Sequence, residues 1–348
     1  MADPVIEKAG LKGLLSLPRP LLRLLAGGGV VYVGGRTLDP RLQLMAALGR
    51  RQPQLSSLTP PEARLATAQA LRPLEGPTAP GVAIENLAIP GPDGDVRARA
   101  YRPASQDPLA PVLVFAHMGG GVIGDLETCH GFCALLALVA RCPVLSVDYR
   151  LAPEHRFPAA LEDVLSAYRW ACTNAGRFGA PAGVAAIGGD SMGGNFAAVA
   201  CQELRRHGEA QPAFQLLIYP AVDIASETQS MTTYADAWPL SRATMAWFMG
   251  HYAGPEDDPA DPRLSPIKAA DLSGLAPAIV ATAGFDPLVD QGEAYAKRLK
   301  GAGAPVVYRC YDALAHGFCG YLGVVPAADV ACREIAGLVR EAIEGRLA

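Results

Sequence analysis

Ser191 occurs in the setting of a catalytic nucleophile. It is the central residue of a G-x-S-x-G sequence, Gly189 to Gly193, which follows the apolar segment 184–188 and precedes a helix-forming segment. Glycines on both sides of a serine permit the sharp strand-to-helix turn of a nucleophile elbow, which exposes the hydroxyl. We therefore predict Ser191 as a nucleophile, with the backbone N–H of Met192 directed toward the same point.

A serine hydroxyl needs a general base at neutral pH, and that base needs an acidic partner that fixes its tautomer. His316 follows the last predicted strand, and Asp286 follows the strand before it. Two alternatives concern the acid: Asp286 could instead cap a helix before Leu288, and Asp290 lies one helical turn further on. We predict a triad of Ser191, Asp286 and His316.

A glycine-rich loop at 117–121 follows another apolar predicted strand. Bare backbone N–H groups in such a loop can stabilise the oxyanion of a tetrahedral intermediate. We predict Gly119 and Gly120 as donors beside Met192. A shift of one residue, to Gly120 and Gly121, is the alternative register.

Two other interpretations of this loop are weaker. The letters from Gly119 to Gly124 match G-x-G-x-x-G, a dinucleotide-binding fingerprint, but the predicted helix begins only after Glu127 and the match lies outside a first βαβ unit. His117 could act in catalysis, but we expect it to hydrogen-bond the loop into shape. No cofactor is predicted.

Hydrophobic patterning predicts the elements that position these residues. From residue 82 onward, apolar segments of strand length alternate with segments of helical periodicity. Predicted strands are at 82–89, 96–102, 111–116, 144–149, 184–188, 214–219, 278–284 and 306–311. Predicted helices are at 128–140, 158–174, 192–207, 288–301 and 327–345. This alternation predicts an α/β fold with a mostly parallel eight-stranded sheet flanked by helices.

Two parts of the chain do not follow this strand–helix alternation and are predicted to form a helical cap. Residues 1–78 are leucine-rich pieces broken by proline and glycine, typical of short amphipathic helices and turns. Residues 223–265 are an insertion after a strand, where open α/β sheets bind ligands, and Ser241 to Tyr252 is helical in pattern. Residues 79–348 are the predicted catalytic domain.

Several residues are candidates for a substrate pocket. Cap residues could line an acyl pocket or simply pack on the main domain, and loop residues beside the nucleophile could complete it. The candidates are Met118, Gly121, Asp190, Trp238, Met245, Trp247 and Phe248.

As a set, the motifs resemble those of the hormone-sensitive-lipase-like family of α/β hydrolases, the bacterial family IV carboxylesterases. The resemblance spans about Val82 to Leu338. It rests first on the glycine-rich loop and on the Val-Ile-Gly-Asp sequence that continues it. The other segments that carry it are residues 148–154, 157–160, 189–195, 286–288 and 316–318. It implies an α/β-hydrolase fold, an N-terminal cap, and Ser191, His316 and Asp286 as nucleophile, general base and orienting acid.

The loop departs from the family at two positions. Met118 replaces the first glycine of the usual His-Gly-Gly-Gly pattern, and Gly121 replaces the aromatic residue that follows it. Loss of the aromatic should widen the pocket there, while the methionine side chain needs space elsewhere.

Composition limits the remaining classes. With 50% hydrophobic and 18% charged residues and a net charge of −4, the chain is neither disordered nor suited to nucleic acid. Cys129 and Cys133 have zinc-like spacing, but no second Cys or His pair follows at a suitable distance, so no metal is predicted. No apolar stretch reaches the ~18 residues of a membrane span, and we predict a cytoplasmic protein.

Two further expectations concern partners. The segment from Leu11 to Leu25 could touch a membrane surface through its leucines, with Lys12, Arg19 and Arg23 beside them, although two prolines and low positive charge count against this. An apolar edge at the last strand predicts a homodimer.

The predicted function is a serine carboxylesterase that hydrolyses short- to medium-chain acyl esters without a cofactor. The alternative is a non-catalytic small-molecule-binding protein on the same fold, and retention of all three triad residues counts against it.

Overall fold

A computed structural model of the chain describes residues 4–74, 76 and 80–347. Its strands are β1 Tyr32–Val33, β2 Arg36–Thr37, β3 Val82–Gly91, β4 Gly94–Pro103, β5 Val112–Ala116, β6 Val144–Asp148, β7 Ala185–Asp190, β8 Gln215–Ile218, β9 Ala278–Phe285 and β10 Val306–Ala315. Its α-helices are α1 Pro4–Leu15, α2 Arg19–Leu25, α3 Pro40–Gly49, α4 Pro60–Leu71, α5 His130–Ala140, α6 Ala159–Thr173, α7 Met192–Arg206, α8 Gln229–Thr233, α9 Arg242–Tyr252, α10 Val289–Gly301 and α11 Pro326–Ile343.

Eight strands form one sheet in the order β10-β9-β8-β7-β5-β6-β4-β3. The six strands from β10 to β6 are parallel, and β4 and β3 extend the sheet in antiparallel pairing. The predicted fold, a mostly parallel eight-stranded sheet flanked by helices, is confirmed. The carboxyl ends of the parallel strands therefore lie along one edge, where ligands of open α/β sheets bind.

The sheet is buried on both faces because alternate strand residues point to opposite cores. In β5, Val112 and Val114 belong to one core with helices α6, α7 and α10, whereas Leu113 and Phe115 belong to the other with α5 and α11. Burial on both faces explains why these strands have continuous apolar sequences.

The N-terminal segment, predicted as short helices and turns, also contains a hairpin. β1 and β2 pair across a two-residue turn, Gly34-Gly35, because both glycines have positive φ, 58° and 80°. β2 lies beside the outer edge of β10, where Arg36 Nε donates to Asp312 Oδ1 at 2.9 Å. The hairpin thus shields the C-terminal half of this edge strand.

The inserted segment places α9 over the carboxyl edge of the sheet. Ser241 caps the helix by accepting a hydrogen bond from the Thr244 N–H, as expected for a serine at an N-cap. Trp247 Nε1 donates to the Leu58 carbonyl oxygen at 3.2 Å, which joins α9 to the N-terminal segment. None of the helices within the described residues is both long and apolar enough to cross a membrane.

Candidate active site

Ser191 occupies the turn between β7 and α7 in a strained conformation. Its φ of 56° and ψ of −117° are rare for a residue with a side chain. The Ser191 N–H donates to the Ile218 carbonyl oxygen at 2.8 Å and holds the turn against β8. A methyl group at Gly193 would lie 2.0 Å from the Ala116 carbonyl oxygen, so the elbow requires glycine there.

His316 lies between Ser191 and Asp286. The Ser191 hydroxyl donates to His316 Nε2 at 2.9 Å, and His316 Nδ1 donates to Asp286 Oδ2 at 2.7 Å. Ser191 is 8% exposed, His316 6% and Asp286 0%, so solvent reaches the serine and histidine only slightly. The three predicted triad residues come together because each follows the carboxyl end of a parallel strand.

Asp286 and Asp290, the two candidates for the acid of the triad, have different hydrogen-bond partners. Asp286 uses its second oxygen, Oδ1, to accept from the Leu288 N–H at 2.9 Å. It therefore caps the next turn and orients His316 at once. Asp290 Oδ2 instead accepts from the Ser230 N–H at 2.7 Å, in the inserted segment.

The glycine-rich loop turns sharply beside the serine. The Gly119 carbonyl oxygen accepts from the N–H groups of Val122 and Ile123, both at 3.0 Å. Among the hydrogen bonds of the described residues, none uses the N–H of Gly119 or Gly120 as donor. Met192 is the first residue of α7, a position whose N–H has no partner within the helix.

Comparison with known proteins agrees with this geometry. The sequence profile of a family with the α/β-hydrolase fold matches residues 113–320. The chain belongs to the α/β-hydrolase family, in its hormone-sensitive-lipase-like branch.

Individual relatives support the same assignment. This hydrolase is similar to the carboxylic ester hydrolase LipN of Mycobacterium tuberculosis, with 44% identity over 322 residues, 90% of this chain and 85% of the relative. Similarity to an ethyl acetate hydrolase of Pseudomonas putida is 37% over 71% of this chain and 79% of the relative. The crystal structure of an ester hydrolase from the metagenome of Lake Arreo, in complex with a bipyridine phosphonate derivative, superimposes with a TM-score of 0.82, at 42% identity over 86% of this chain and 96% of that chain.

Gly121, a loop residue expected to line the pocket, lies against helix α9, and its contact with a substrate stays a prediction. A methyl group at Gly121 would lie 2.5 Å from the Tyr252 ring, and the glycine itself is buried. The aromatic residue that the loop of this α/β hydrolase lacks is thus replaced in space by Tyr252 of α9. The expected widening of the pocket does not occur at this position, because the fully buried Tyr252 ring fills the volume.

Phe248 lies one turn earlier on the same face of α9 and covers the neighbouring glycine. A methyl group at Gly120 would lie 2.3 Å from the Phe248 ring. Phe248 therefore packs directly on the proposed oxyanion loop. Sequence patterning identified Phe248 as a cap residue, but its contact with the loop depends on the fold.

Asp190, another pocket candidate, has a fully buried side chain, and its contact with a substrate stays a prediction. Its carboxylate accepts from the Tyr219 hydroxyl at 2.9 Å and from the Cys129 thiol at 3.3 Å. Burial raises the pKa of Asp190 to about 6, although the hydrogen bonds from Tyr219 and Cys129 lower it. Asp190 thus ties the nucleophile strand to Tyr219 after β8 and to Cys129 at the start of α5.

Tyr219 is a residue of the site that the sequence reasoning missed. Its ring lies 4.8 Å from the His316 ring, centroid to centroid, while its hydroxyl donates to Asp190. Tyr219 has a φ of 34°, uncommon for a bulky residue. Its place directly after β8, at the carboxyl edge of the sheet, is the signal that could have identified it.

Three other pocket candidates have distinct environments. The Met118 thioether packs near Gly317, and a methyl group there would lie 3.5 Å from its sulfur. Trp238 stacks on Tyr321 with ring centroids 5.9 Å apart. Met245 is half-buried on α9. Contact of any of these with a substrate stays a prediction.

His117 is fully buried beneath the loop. Its Nδ1 donates to the Met118 carbonyl oxygen at 2.7 Å, and its ring stacks on Tyr149 at 4.2 Å. Burial lowers the pKa of His117, which favours the neutral imidazole. These contacts suit the loop-shaping role we expect. Within the described residues, no group of three or more His, Cys, Asp or Glu side chains is arranged to hold a metal.

Proposed function

We propose that this α/β hydrolase is a serine carboxylesterase acting on short- to medium-chain acyl esters. The observation that carries the proposal is the continuous hydrogen-bonded chain from Ser191 through His316 to Asp286. A non-catalytic binding protein would have no need of this arrangement beside a strained nucleophile turn.

The proposed mechanism uses the chain's own side chains throughout. His316 removes the Ser191 proton as the hydroxyl attacks the ester carbonyl, and Asp286 stabilises the imidazolium. The N–H groups of Gly119, Gly120 and Met192 receive the oxyanion, each contributing about 3–4 kcal/mol to transition-state stabilisation. His316 then protonates the leaving alcohol, and water, activated by the same imidazole, hydrolyses the acyl-enzyme.

The preferred register of the oxyanion donors is supported by burial. Gly119 is partly exposed, whereas Gly121 is buried beneath Tyr252. An ester oxygen can therefore approach the first glycine more readily than the third. The proposed donors are Gly119 and Gly120, with Met192.

The proposed substrate size rests on two observations. The rings of Phe248 and Tyr252 close the site over the glycine-rich loop, which leaves less room for long acyl chains on that side. The ethyl acetate hydrolase relative is named for a short acyl ester. We therefore expect acetate to hexanoate esters to be better substrates than palmitate.

Phosphonate labelling and an ester panel test this proposal. A p-nitrophenyl phosphonate should modify Ser191 alone, as located by peptide mass spectrometry, and Ser191→Ala should lower kcat on p-nitrophenyl acetate by about 10⁶. Replacement of the exposed Ser105 by alanine is the control and should leave activity unchanged. A wild-type protein that binds esters but releases no p-nitrophenol would favour the non-catalytic alternative.

The cap, assembly and compartment complete the proposal. Residues 1–78 and the insertion at 223–265 form the cap over the catalytic domain, 79–348, supported by the contact of Trp247 with Leu58. A homodimer forms through the half of β10 that the hairpin leaves open, Val306 to Arg309, beside a groove of about 380 Å³. Light scattering should give twice the 36.3 kDa chain mass. The proposed compartment is the cytoplasm.

A further inference from the structure

Helix α2 turns large apolar side chains outward. Its Leu22 is buried in the core that includes α3. Three other leucines are 45–68% exposed. They are spaced by three and four residues and therefore lie on one face of the helix. Two further exposed apolar residues follow within seven positions of the helix end. We call these five side chains the leucine surface: Leu21, Leu24, Leu25, Val30 and Tyr32.

This concentration is unusual for the molecule. Ten large apolar side chains are exposed in the part of the chain that the structure describes, and five of them belong to the leucine surface. The other five are dispersed along the chain: Leu65, Ile84, Leu109, Val184 and Val330. Single exposed apolar residues are ordinary, whereas five within twelve consecutive residues indicate an interaction site.

The loop that carries part of the leucine surface is held in place. Gln43 Nε2 donates to the Gly29 carbonyl oxygen at 3.2 Å, and the Leu38 N–H donates to the Val31 carbonyl oxygen at 3.0 Å. Both bonds tie residues 29–31 to the neighbourhood of α3, against which α2 packs. The leucine surface is therefore presented by an ordered scaffold.

The charge of the same segment contrasts with the rest of the chain. Residues 1–51 contain eight Lys or Arg against three Asp or Glu, a formal charge of +5, whereas the remaining 297 residues carry −9. Lys12, Arg19, Arg50 and Arg51 are exposed. Residues 11–25 alone carry only three of these basic residues, but Arg50 and Arg51 add to the positive charge of the N-terminal segment, whereas Arg36 and Arg41 are paired with Asp312 and Asp39. Basic residues in the same segment as outward leucines are typical of segments that lie in an anionic membrane interface.

We propose that the leucine surface docks this enzyme reversibly on anionic lipid bilayers. The leucines enter the boundary between headgroups and acyl chains, and the basic side chains contact lipid phosphates. A second copy of the chain fits this surface less well, because two segments with a net positive charge would repel each other. This inference concerns a surface separate from the proposed esterase site and does not depend on its activity.

Vesicle co-sedimentation of the full-length chain tests the inference. The wild-type protein should bind vesicles of equal parts phosphatidylcholine and phosphatidylglycerol, and bind pure phosphatidylcholine vesicles more weakly. High salt should weaken binding, because it screens the basic side chains. The Leu24→Glu/Leu25→Glu variant should lose at least about tenfold in partition coefficient, since two apolar anchors are replaced by charges.

The matched control is Leu109→Glu/Val330→Glu, which adds the same charge at two exposed positions, 73% and 65%, against 68% and 50% for Leu24 and Leu25. It should bind vesicles as the wild type does. Both double variants should retain wild-type turnover of p-nitrophenyl acetate, which shows that they fold and separates this test from the test of esterase activity.

Three outcomes would overturn the inference. The wild type could fail to bind the anionic vesicles, or the control could lose binding as much as the Leu24→Glu/Leu25→Glu variant. Alternatively, light scattering without lipid could show that the Leu24→Glu/Leu25→Glu variant is monomeric while the wild type is dimeric, with no vesicle binding by either protein. The leucine surface would then be an interface between copies of the chain.

Discussion

Replacing Asp286 by asparagine tests how the proposed triad works, because the two carboxylate oxygens have separate partners. Oδ1 accepts from the Leu288 N–H and Oδ2 from His316 Nδ1. In Asp286→Asn, the amide oxygen can keep the Leu288 bond, which places the amide NH₂ against His316. His316 Nδ1 must then be an acceptor, so its proton moves to Nε2, and the imidazole can no longer take the Ser191 proton.

The size of the effect follows from the competition between the two amide orientations. In the opposite orientation, the amide oxygen would accept from His316 Nδ1 and restore the tautomer that can take the Ser191 proton. This orientation would leave the Leu288 N–H buried without an acceptor, which costs about 1–3 kcal/mol. The orientation that restores the tautomer is therefore a minor population. It also lacks the negative charge that stabilises the imidazolium. We expect kcat to fall by about 10³–10⁴, or roughly 4–5.5 kcal/mol.

The assay is kcat and KM for p-nitrophenyl acetate, with urea unfolding as the check on folding. Asp290→Asn is the control, because Asp290 bonds to Ser230 in the inserted segment, and it should cost less than about tenfold in kcat. The reasoning is refuted if a folded Asp286→Asn enzyme keeps more than about a tenth of wild-type kcat, or if Asp290→Asn loses more activity than Asp286→Asn.

Two further predictions concern the loop beside the nucleophile. Gly121→Ala should lower both the unfolding midpoint and kcat/KM, because the φ of Gly121 is 74° and the added methyl group would meet Tyr252. Adding Tyr252→Leu should recover part of both losses. If nothing is recovered, the assigned contact is contradicted. Folding raises the pKa of Asp190 from 3.8 to about 6, so ionised Asp190 destabilises the fold, and its contribution to stability falls as pH rises through that range. Asp190→Asn should therefore gain about 3 kcal/mol in unfolding free energy relative to wild type between about pH 3 and pH 7.5. A difference that does not change with pH in urea titrations would count against this.

The sequence alone determined the elements of the sheet and the chemistry of the proposed triad. Parallel strands buried on both faces have long apolar sequences, so patterning located all eight strands of the main sheet. The nucleophile turn is local, because its glycines flank Ser191 within five residues. Asp286 and His316 each directly follow a strand, and parallel strands bring their carboxyl ends to one edge regardless of distance in sequence.

Only the tertiary structure decided what surrounds the triad. The Tyr252 ring replaces the missing aromatic of the loop from more than a hundred residues away, a contact that no local pattern encodes. The surroundings of Asp190 also depend on the fold, because its buried carboxylate accepts from Tyr219 and Cys129, which lie far from it in the sequence. The exposure of Leu21, Leu24 and Leu25 in α2 could not be predicted from the sequence either. A leucine-rich helix does not indicate which of its leucines another helix will cover.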